Sequence, residues 1–444
     1  MQKVAVVVLG CSKNTVEAEY LLGVFRNKGF EITNNIEEAD ISIIHTCSFI
    51  KTAREESEKA IRDVLSVKKK NGLKVYVSGC LSQLLQNKMN SIFPEIDGYV
   101  GTGTLKELPQ LIFDKEFDKS LLPPGGLNES KYRVLSSSLP STYLKIAEGC
   151  WHKCSFCVIP YLRGNYESRS IKSLIDEAKL LVDNGIKELI LIAQDTTSYG
   201  YDIYGAFVLD KLLSKLAKIS ELKWIRLLYA YPSSINDRLL AVFKEYKNIC
   251  NYMDIPIQHI SKDILSAMRR PLNTASIIEK IKNKLPDIIL RTSIITGFPG
   301  ENERDISELI SFLQQGYFQY VGVFEYSNQK ETDSSKLKKQ IKNSVAIERK
   351  ILIENAQYSV FKSQIDNIIG NNIEFIVENC SQRTSDDKYS ITGRCYFQAP
   401  EIDGNVMLLS DNPLKLGEFY NGKIIDAKGY NIKVTIGEYN EFGK

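Results

Sequence analysis

Three times in its first hundred residues the chain runs through a short apolar stretch that leads into a cysteine. Val4-Ala-Val-Val-Val-Leu9 leads to Gly10-Cys11, Ile41-Ser-Ile-Ile44 to Cys47, and Val75-Tyr-Val77 to Gly79-Cys80. Continuous apolar runs mark strands buried on both faces. Each is followed by a helical pattern. After the first run Asn14 stands where an N-cap is expected, Glu17 at the matching capping-box position and Gly29 past the helix end. The alternation predicts a parallel α/β sheet with right-handed crossovers. The carboxyl ends of such strands share one edge, where ligands bind. Cys11, Cys47 and Cys80 are therefore expected to converge although they lie 36 and 33 residues apart. One buried cysteine at a strand end is ordinary apolar packing. Three on one edge, two of them after glycine, point to a three-thiolate cluster site.

A second set is local. Cys150, Cys154 and Cys157 are spaced C-x3-C-x2-C directly after the alternating segment Tyr143 to Ala147. Thiols packed so closely are expected to share one metal centre. Four cysteines would ligate an iron–sulfur cluster completely. Three on a four-iron cluster leave one iron free, the arrangement needed to chelate S-adenosylmethionine and cleave it to a radical, chemistry that a cofactor must carry. The alternative is a zinc knuckle with His152 as fourth ligand. His152 is only two residues from Cys150 and from Cys154, which makes that site cramped.

Composition limits the remaining choices. A length of 444 residues suggests about three domains, and 43% hydrophobic content is ample for packed cores. The net charge of +3 does not announce a nucleic-acid binder. Nine cysteines, six of them in two sets, suit metal binding in a reducing compartment rather than a secreted disulfide framework. Val7-Val8-Leu9-Gly10-Cys11 faintly resembles a lipoprotein cleavage box, but Val4 to Leu9 is too short for a signal-peptide core. No stretch reaches membrane-helix length. A cytoplasmic protein with no membrane partner is expected.

Pro123-Pro124-Gly125-Gly126 and Ser136 to Pro140 read as a linker. The expected divisions are 1–120, a linker over 121–138, a domain over 139–368 and a last one over 369–444. Strands are expected at 143–148, 187–193, 224–230, 252–257, 288–296 and 318–327, each followed by a helix. Six such units suggest an open or incomplete (β/α) barrel with its site at the carboxyl ends of the strands. Polar residues recur there: Gln194 and Asp195, Tyr229 and Tyr231, Asp254, Gln258 and His259, and Thr296 with Gly297-Phe-Pro-Gly300-Glu301. Gly297 and Gly300 suit close backbone approach of a ligand. His259 is as well suited to the core as to a functional role. Arg163, Glu167 and Arg169 follow the cysteine loop closely enough to suggest binding. A lysine-rich stretch and a helix over Val345 to Ile365 lead to five short strands: Ile373–Val377, Tyr389–Thr392, Val406–Leu409, Ile424–Ala427 and Ile432–Ile436. These suggest a small antiparallel β-barrel that grips nucleic acid or protein.

Several segments together resemble the methylthiotransferase family of radical-SAM enzymes. They are Leu9-Gly-Cys-Ser-Lys-Asn14, Thr46-Cys-Ser-Phe-Ile50, Gly79-Cys-Leu-Ser82, Glu148 to Pro160, Arg163-Gly164, Glu167-Ser-Arg169, Asp254-Ile-Pro-Ile-Gln-His259 and Gly297-Phe-Pro-Gly-Glu301. The resemblance implies a methylthiotransferase N-terminal domain, a radical-SAM barrel and a C-terminal TRAM barrel. It also implies two four-iron–four-sulfur clusters, on Cys11, Cys47 and Cys80 and on the catalytic Cys150, Cys154 and Cys157. S-adenosylmethionine would be bound by Gln194, Asp195, Gly297, Gly300 and Glu301. One cluster would generate the radical that takes hydrogen from an unactivated carbon, and the other would carry sulfur. Cys250, Cys380 and Cys395 remain as structural residues.

One branch of the family modifies a tRNA adenosine, the other an aspartate of the twelfth small-subunit ribosomal protein. Leu9 to Glu17, Gln194-Asp-Thr-Thr-Ser-Tyr-Gly200 and Ala399-Pro-Glu-Ile-Asp-Gly404 resemble the ribosomal-protein branch. From Gly370 to Lys444 eight Lys and Arg face eleven Asp and Glu, a balance of −3. A clamp for tRNA should be basic; an acidic tail suits a basic ribosomal protein. The expected partners are that protein as substrate, a flavodoxin- or ferredoxin-like electron donor and a sulfur donor, with tRNA as the alternative substrate. A non-catalytic iron–sulfur electron carrier would explain both cysteine sets but not a six-unit barrel with a polar mouth.

Overall fold

Strands covered on both faces are built mainly of apolar residues, and in the N-terminal sheet the polar ones, such as His45, Thr46 and Ser78, gather at the carboxyl ends. The structure, a computed structural model, describes residues 1–114, 124–136, 140–382 and 388–437. Parts of the expected linker, Pro123 and residues 137–139 among them, lie outside the described residues. Strands β1 (Lys3–Val8), β2 (Glu31–Ile32), β3 (Ile41–Thr46), β4 (Lys74–Gly79) and β5 (Gly98–Tyr99) form a parallel sheet in the order β2-β1-β3-β4-β5. Ala5, Ile44, Val75 and Val77 pack on one side with Ile61 and Leu65 of the helix Lys51–Asn71. Val4, Ile43 and Tyr76 pack on the other with Leu21 and Phe25 of the helix Ser12–Asn27. The two-residue strands β2 and β5 are too short to leave a periodic signal.

The start of the helix Ser12–Asn27 differs from expectation. Its N-cap is Cys11, which makes no side-chain cap. Asn14 and Glu17 are buried inside the helix. Asn14 donates to the carbonyls of Leu9 and Thr46 instead, and Glu17 takes basic partners from the next domain. Tertiary partners have claimed side chains that local spacing assigns to a cap.

Next come β6 (Ser141–Lys145), the short antiparallel pair β7 (Ala147–Glu148) and β8 (Glu167–Ser168), then β9 (Glu188–Ile192), β10 (Trp224–Leu227), β11 (Ile249–Asp254), β12 (Ile289–Thr296) and β13 (Tyr320–Glu325). Six of these make an open parallel sheet in the order β13-β12-β11-β10-β9-β6. The strand expected at 252–257 begins and ends three residues earlier, before Pro256. Alternation decides what each face meets. Leu189, Leu191, Ile225 and Leu227 face the helices, packing with Leu174, Leu181 and Leu213. Ile190, Ile192, Trp224, Leu228 and Tyr252 belong to a different core. That core is shared with Phe375, Val377, Phe397 and Val406 of the last domain and with Val16 and Tyr20 of the first helix.

The helix Asn343–Asp366 leads to that last domain, whose strands are β14 (Asn372–Gln382), β15 (Tyr389–Cys395), β16 (Val406–Ser410), β17 (Phe419–Lys428) and β18 (Asn431–Thr435). They close into a barrel in the order β14-β15-β16-β18-β17, antiparallel except where β16 meets β18.

Buried charge joins this barrel to the sheet. Glu188 accepts from Arg226 Nε at 2.7 Å and from Arg394 Nη2 at 2.6 Å, and none of the three is exposed. Burial alone would raise the Glu188 carboxyl, but Arg394 and Arg226 hold it down at about 2. A carboxyl lowered on folding contributes stability above its unfolded value and loses it as pH falls through the folded one. Seating of the barrel is therefore expected to weaken between about pH 4.5 and about pH 2, by about 3 kcal/mol. Trp224 meets Phe419 edge-on across this interface, with ring centroids 4.8 Å apart, so tryptophan fluorescence during acid titration reports the change. Glu188→Gln should flatten the acid dependence and lower stability at neutral pH.

Candidate active site

The carboxyl ends of β1, β3 and β4 face those of the six-stranded sheet across a seam of buried charge. Lys145, the last residue of β6, reaches Glu17 at 2.7 Å and Glu148 at 2.8 Å. Arg163 Nη1 reaches Glu17 at 2.7 Å and Glu148 at 3.3 Å, and its Nη2 donates to Asn14 Oδ1 at 2.6 Å. His45 Nε2 lies 3.1 Å from Glu17. Lys145, Glu148 and Glu17 are all about 1% exposed and Arg163 2%, so none of these charges is solvated. Burial would raise Glu17, yet Arg163 and Lys145 hold its carboxyl well below the usual range.

Both cysteine sets lie along this seam. Gly10 and Gly79 take φ of +92° and +96°, so the chain turns sharply at each strand end. A Cβ at Gly10 would fall 2.8 Å from Cys47 Sγ, which is how close the first and second strand ends come. Cys80 accepts a hydrogen bond from Arg163 Nε at 3.3 Å and is pushed up to about 12 by burial, with smaller contributions from Cys47 and Cys11. Burial likewise pushes Cys150 up to about 12 and raises Cys47 and Cys157, the last also through Cys154 and Cys150. Burial thus favours the thiol over the thiolate at these four positions, so a metal centre bound there would have to release protons.

The loop from Cys150 to Cys157 is pinned on all sides. Cys150 N donates to Gly164 O at 3.2 Å and Ser155 N to Met268 O at 3.1 Å. Trp151 packs on Tyr166 at 4.9 Å and edge-on to Tyr201 at 5.4 Å. The His152 ring stacks on Tyr231 at 3.6 Å, and its Nε2 lies 2.7 Å from Asp195 Oδ2. Arg270 covers the other side: its guanidinium lies 4.1 Å from the Tyr231 ring centroid and 3.9 Å from Cys154 Sγ.

The expected ligand-binding residues divide into two groups. Asp195 is fully engaged by protein donors, namely His152, Thr197 and Ser198, which outweigh burial and keep its carboxyl low. Gln194 donates to Glu148 and leaves its own Oε1 without a partner. At the end of β12, Glu301 accepts from Gly297 N and Arg349, both at 2.9 Å. Its Oε2 has no hydrogen-bond partner and lies 3.6 Å from His259 Nε2, which has none either. Burial holds His259 at about 4, hence neutral, and raises Glu301. A Cβ at Gly297 would meet Ala346, whereas Gly300 opens onto free space. Tyr229 and Gln258 both take positive φ, at +59° and +71°. Arg169 is buried against Glu129, Tyr20 and Glu177, while Glu167 is exposed.

Sequence reasoning missed Lys145, Glu148, Glu17 and Asn14 as a unit. The available signal was Lys145 and Glu148, charged residues in and just after a segment whose other members, Tyr143, Leu144, Ile146 and Ala147, are apolar or aromatic. Arg270 and the His152–Asp195 pair left no signal in local spacing.

Among the described residues no three His, Cys, Asp or Glu side chains stand close enough to share a single metal ion. The donor chemistry suits a larger centre. The thiols of each set have no third donor close enough for a single ion among the described residues, and the neighbouring carboxylates are bound to basic groups. This fits an iron–sulfur cluster and does not fit a zinc knuckle.

Residues 3–101 match the family described as uncharacterized protein family UPF0004, residues 144–313 the radical SAM superfamily and residues 369–436 the TRAM domain. The chain is similar to the ribosomal protein uS12 methylthiotransferase RimO of Endomicrobium trichonymphae, with 66% identity over 98% of this chain and 99% of that one. It is also similar to the protein of that name from Clostridioides difficile (strain 630), with 40% identity over 97% and 98%. Among solved structures it resembles the radical S-adenosylmethionine methyltransferase TsrM from Kitasatospora setae with cobalamin and a 4Fe–4S cluster bound. That likeness has a TM-score of 0.56 at 14% identity, covers 75% of this chain and 77% of that one, and shows the fold.

Proposed function

This chain belongs to the RimO family of ribosomal protein uS12 methylthiotransferases, and we propose that it adds a methylthio group to the β-carbon of an aspartate in uS12. It is a radical-SAM enzyme that transfers a sulfur-containing group. Cys150, Cys154 and Cys157 would hold one four-iron–four-sulfur cluster, and Cys11, Cys47 and Cys80 a second. When bound, a cluster with a free iron supplies the coordination and the electron that let S-adenosylmethionine generate a radical. No side-chain base could do this work, because a hydrogen on an unactivated carbon is not an acidic proton.

The observation that carries the reading is Arg163. It sits in the helix Ile159–Arg163, just past Cys157, and donates to Cys80 of the other set. One residue thus ties the radical loop to the sulfur-carrying edge. Arg163 and Arg270 each place positive charge against one cysteine set and favour its thiolates. The His152–Asp195 pair and Tyr231 hold the radical loop in place. Gln194, the backbone at Gly297 and Gly300, and Glu301 would contact S-adenosylmethionine directly, with Asp195 acting through His152. The acidic balance of the C-terminal residues suits a basic ribosomal protein. A flavodoxin- or ferredoxin-like electron donor and a sulfur donor would complete the cycle.

The test is mass spectrometry of uS12 after incubation with the reconstituted enzyme, S-adenosylmethionine, sulfide and a reductant. One added methylthio group on an aspartate is the expected result. Addition to tRNA adenosine, with none on the protein, would reassign the substrate and leave the radical chemistry in place.

A further inference from the structure

Among the basic side chains buried where the N-terminal sheet meets the radical barrel, Lys13, Lys145 and Arg163 lie at the strand ends, and two of these three have counter-ions. Lys145 and Arg163 share Glu17 and Glu148. The third, Lys13, is 8% exposed and has no carboxylate within ion-pair distance among the described residues. Its side chain leaves the helix Ser12–Asn27 two residues after Cys11 and crosses to the ends of β9 and β10. There its ammonium lies 3.4 Å from the Ala193 carbonyl oxygen and 3.6 Å from the Tyr229 ring centroid. An ammonium has three donors, and one long carbonyl contact with one aromatic face does not replace its water. Tyr229, Cys11 and Glu148 act on it from nearby, but no carboxylate touches it, and a buried ammonium with donors to spare is stabilised further when an anion joins it.

The site is also built rather than accidental. Tyr229 holds its ring under Lys13 from a backbone of φ +59°, a conformation that a non-glycine residue keeps only when its surroundings impose it. Thr196 N donates to Tyr229 O at 3.0 Å, and Tyr229 N donates to Asp254 Oδ2 at 3.2 Å.

We infer that Lys13 binds the side-chain carboxylate of the target aspartate, an assignment that rests on the uS12 reading. In aspartate the β-carbon is bonded directly to the carboxyl carbon. A cation that grips the carboxylate therefore fixes the reacting carbon one bond away. Lys13 stands between Cys11 and the mouth of the radical barrel, where that carbon must sit to lose hydrogen and gain sulfur. The same ammonium selects an acidic residue, because its asparagine counterpart brings no charge to the site.

The experiment measures binding of the anaerobic holoenzyme to uS12 and to uS12 with Asn at the target position, at one ionic strength. The wild-type chain should prefer the Asp form by about tenfold to a hundredfold, the worth of one charge-assisted contact. Lys13→Met should bring the two forms within about twofold of each other, and Lys13→Arg should restore part of the preference. Undiminished preference in Lys13→Met overturns the inference, as does a wild-type chain that binds both forms equally. Loss of S-adenosylmethionine affinity in Lys13→Met with the preference intact also overturns it, assigning the ammonium to that molecule's carboxylate. A wild-type chain that binds neither form overturns the uS12 reading itself and this inference with it.

Discussion

Cys154→Ala should abolish cleavage of S-adenosylmethionine, while Cys47→Ala should leave cleavage largely in place and stop sulfur transfer. The two cysteines keep different company. Cys154 is touched by Arg270, in a loop pinned to Ala267 and Met268 of the barrel. Cys47 exchanges hydrogen bonds with Ser57 and abuts Gly10, all within the N-terminal domain. Removing either thiol therefore disturbs one side of the seam. Cys80 would be a poorer choice, because Arg163 bonds to it across the seam. Iron content should fall by about half in each single variant, as one three-thiolate site is lost. The readouts are 5′-deoxyadenosine, methylthiolated product and iron. If Cys47→Ala also loses cleavage, the two sets do not act as separate sites.

Arg163→Met should cost about 3–5 kcal/mol of stability, the usual consequence of removing one partner from a buried charge network. Glu17 would keep Lys145 and His45, and Glu148 would keep Lys145, Gln194 and the Gly149 N–H, but both carboxylates would lose their guanidinium while staying about 1% exposed. Asn14 Oδ1 and Cys80 Sγ would each lose a donor. Denaturant unfolding of the wild type, Arg163→Met, Glu17→Gln and the double variant forms a cycle. The double variant should be less unstable than the sum of the two single ones, because it removes both halves of a pair. Additive losses would mean that Glu17 and Arg163 do not depend on each other. A loss below about 1 kcal/mol for Arg163→Met would place its value with exposed ion pairs.

Local pattern revealed what is local. The apolar runs of β1, β3 and β4 were legible because strands covered on both faces need no polar positions, and Gly10 and Gly79 marked the turns. The five C-terminal strands were legible from their turns and alternation, though β14 and β17 run longer than their apolar centres suggest. Asn14 and Glu17 misled because their spacing satisfies a cap. Their true partner Arg163 is about 150 residues away, and no periodicity spans such a distance. Asp195 was legible as a polar strand end, but its role in holding His152 depends on a stack with Tyr231 from the next strand. The acidic balance of the last domain is not carried by its buried charges, since Arg394 and Asp403 are both hidden against the sheet and differ in sign.

The inner face of the six-stranded sheet is covered by chain from both of its flanks, and this has a consequence for synthesis. A ribosome delivers residues in order, and domains tend to fold as they emerge. The sheet here is finished at Glu325, but Trp224, Leu228 and Tyr252 await Phe375, Val377 and Val406. Arg226 and Glu188 await Arg394, which follows Glu188 by 206 residues. Until then a nascent chain carries a bare apolar surface with the Glu188–Arg226 ion pair left uncovered in it. Contacts so distant in sequence form slowly, since the intervening loop must close first. The small barrel therefore serves as the stopper that completes maturation. Chains stalled before residue 369 should be the ones that chaperones retain.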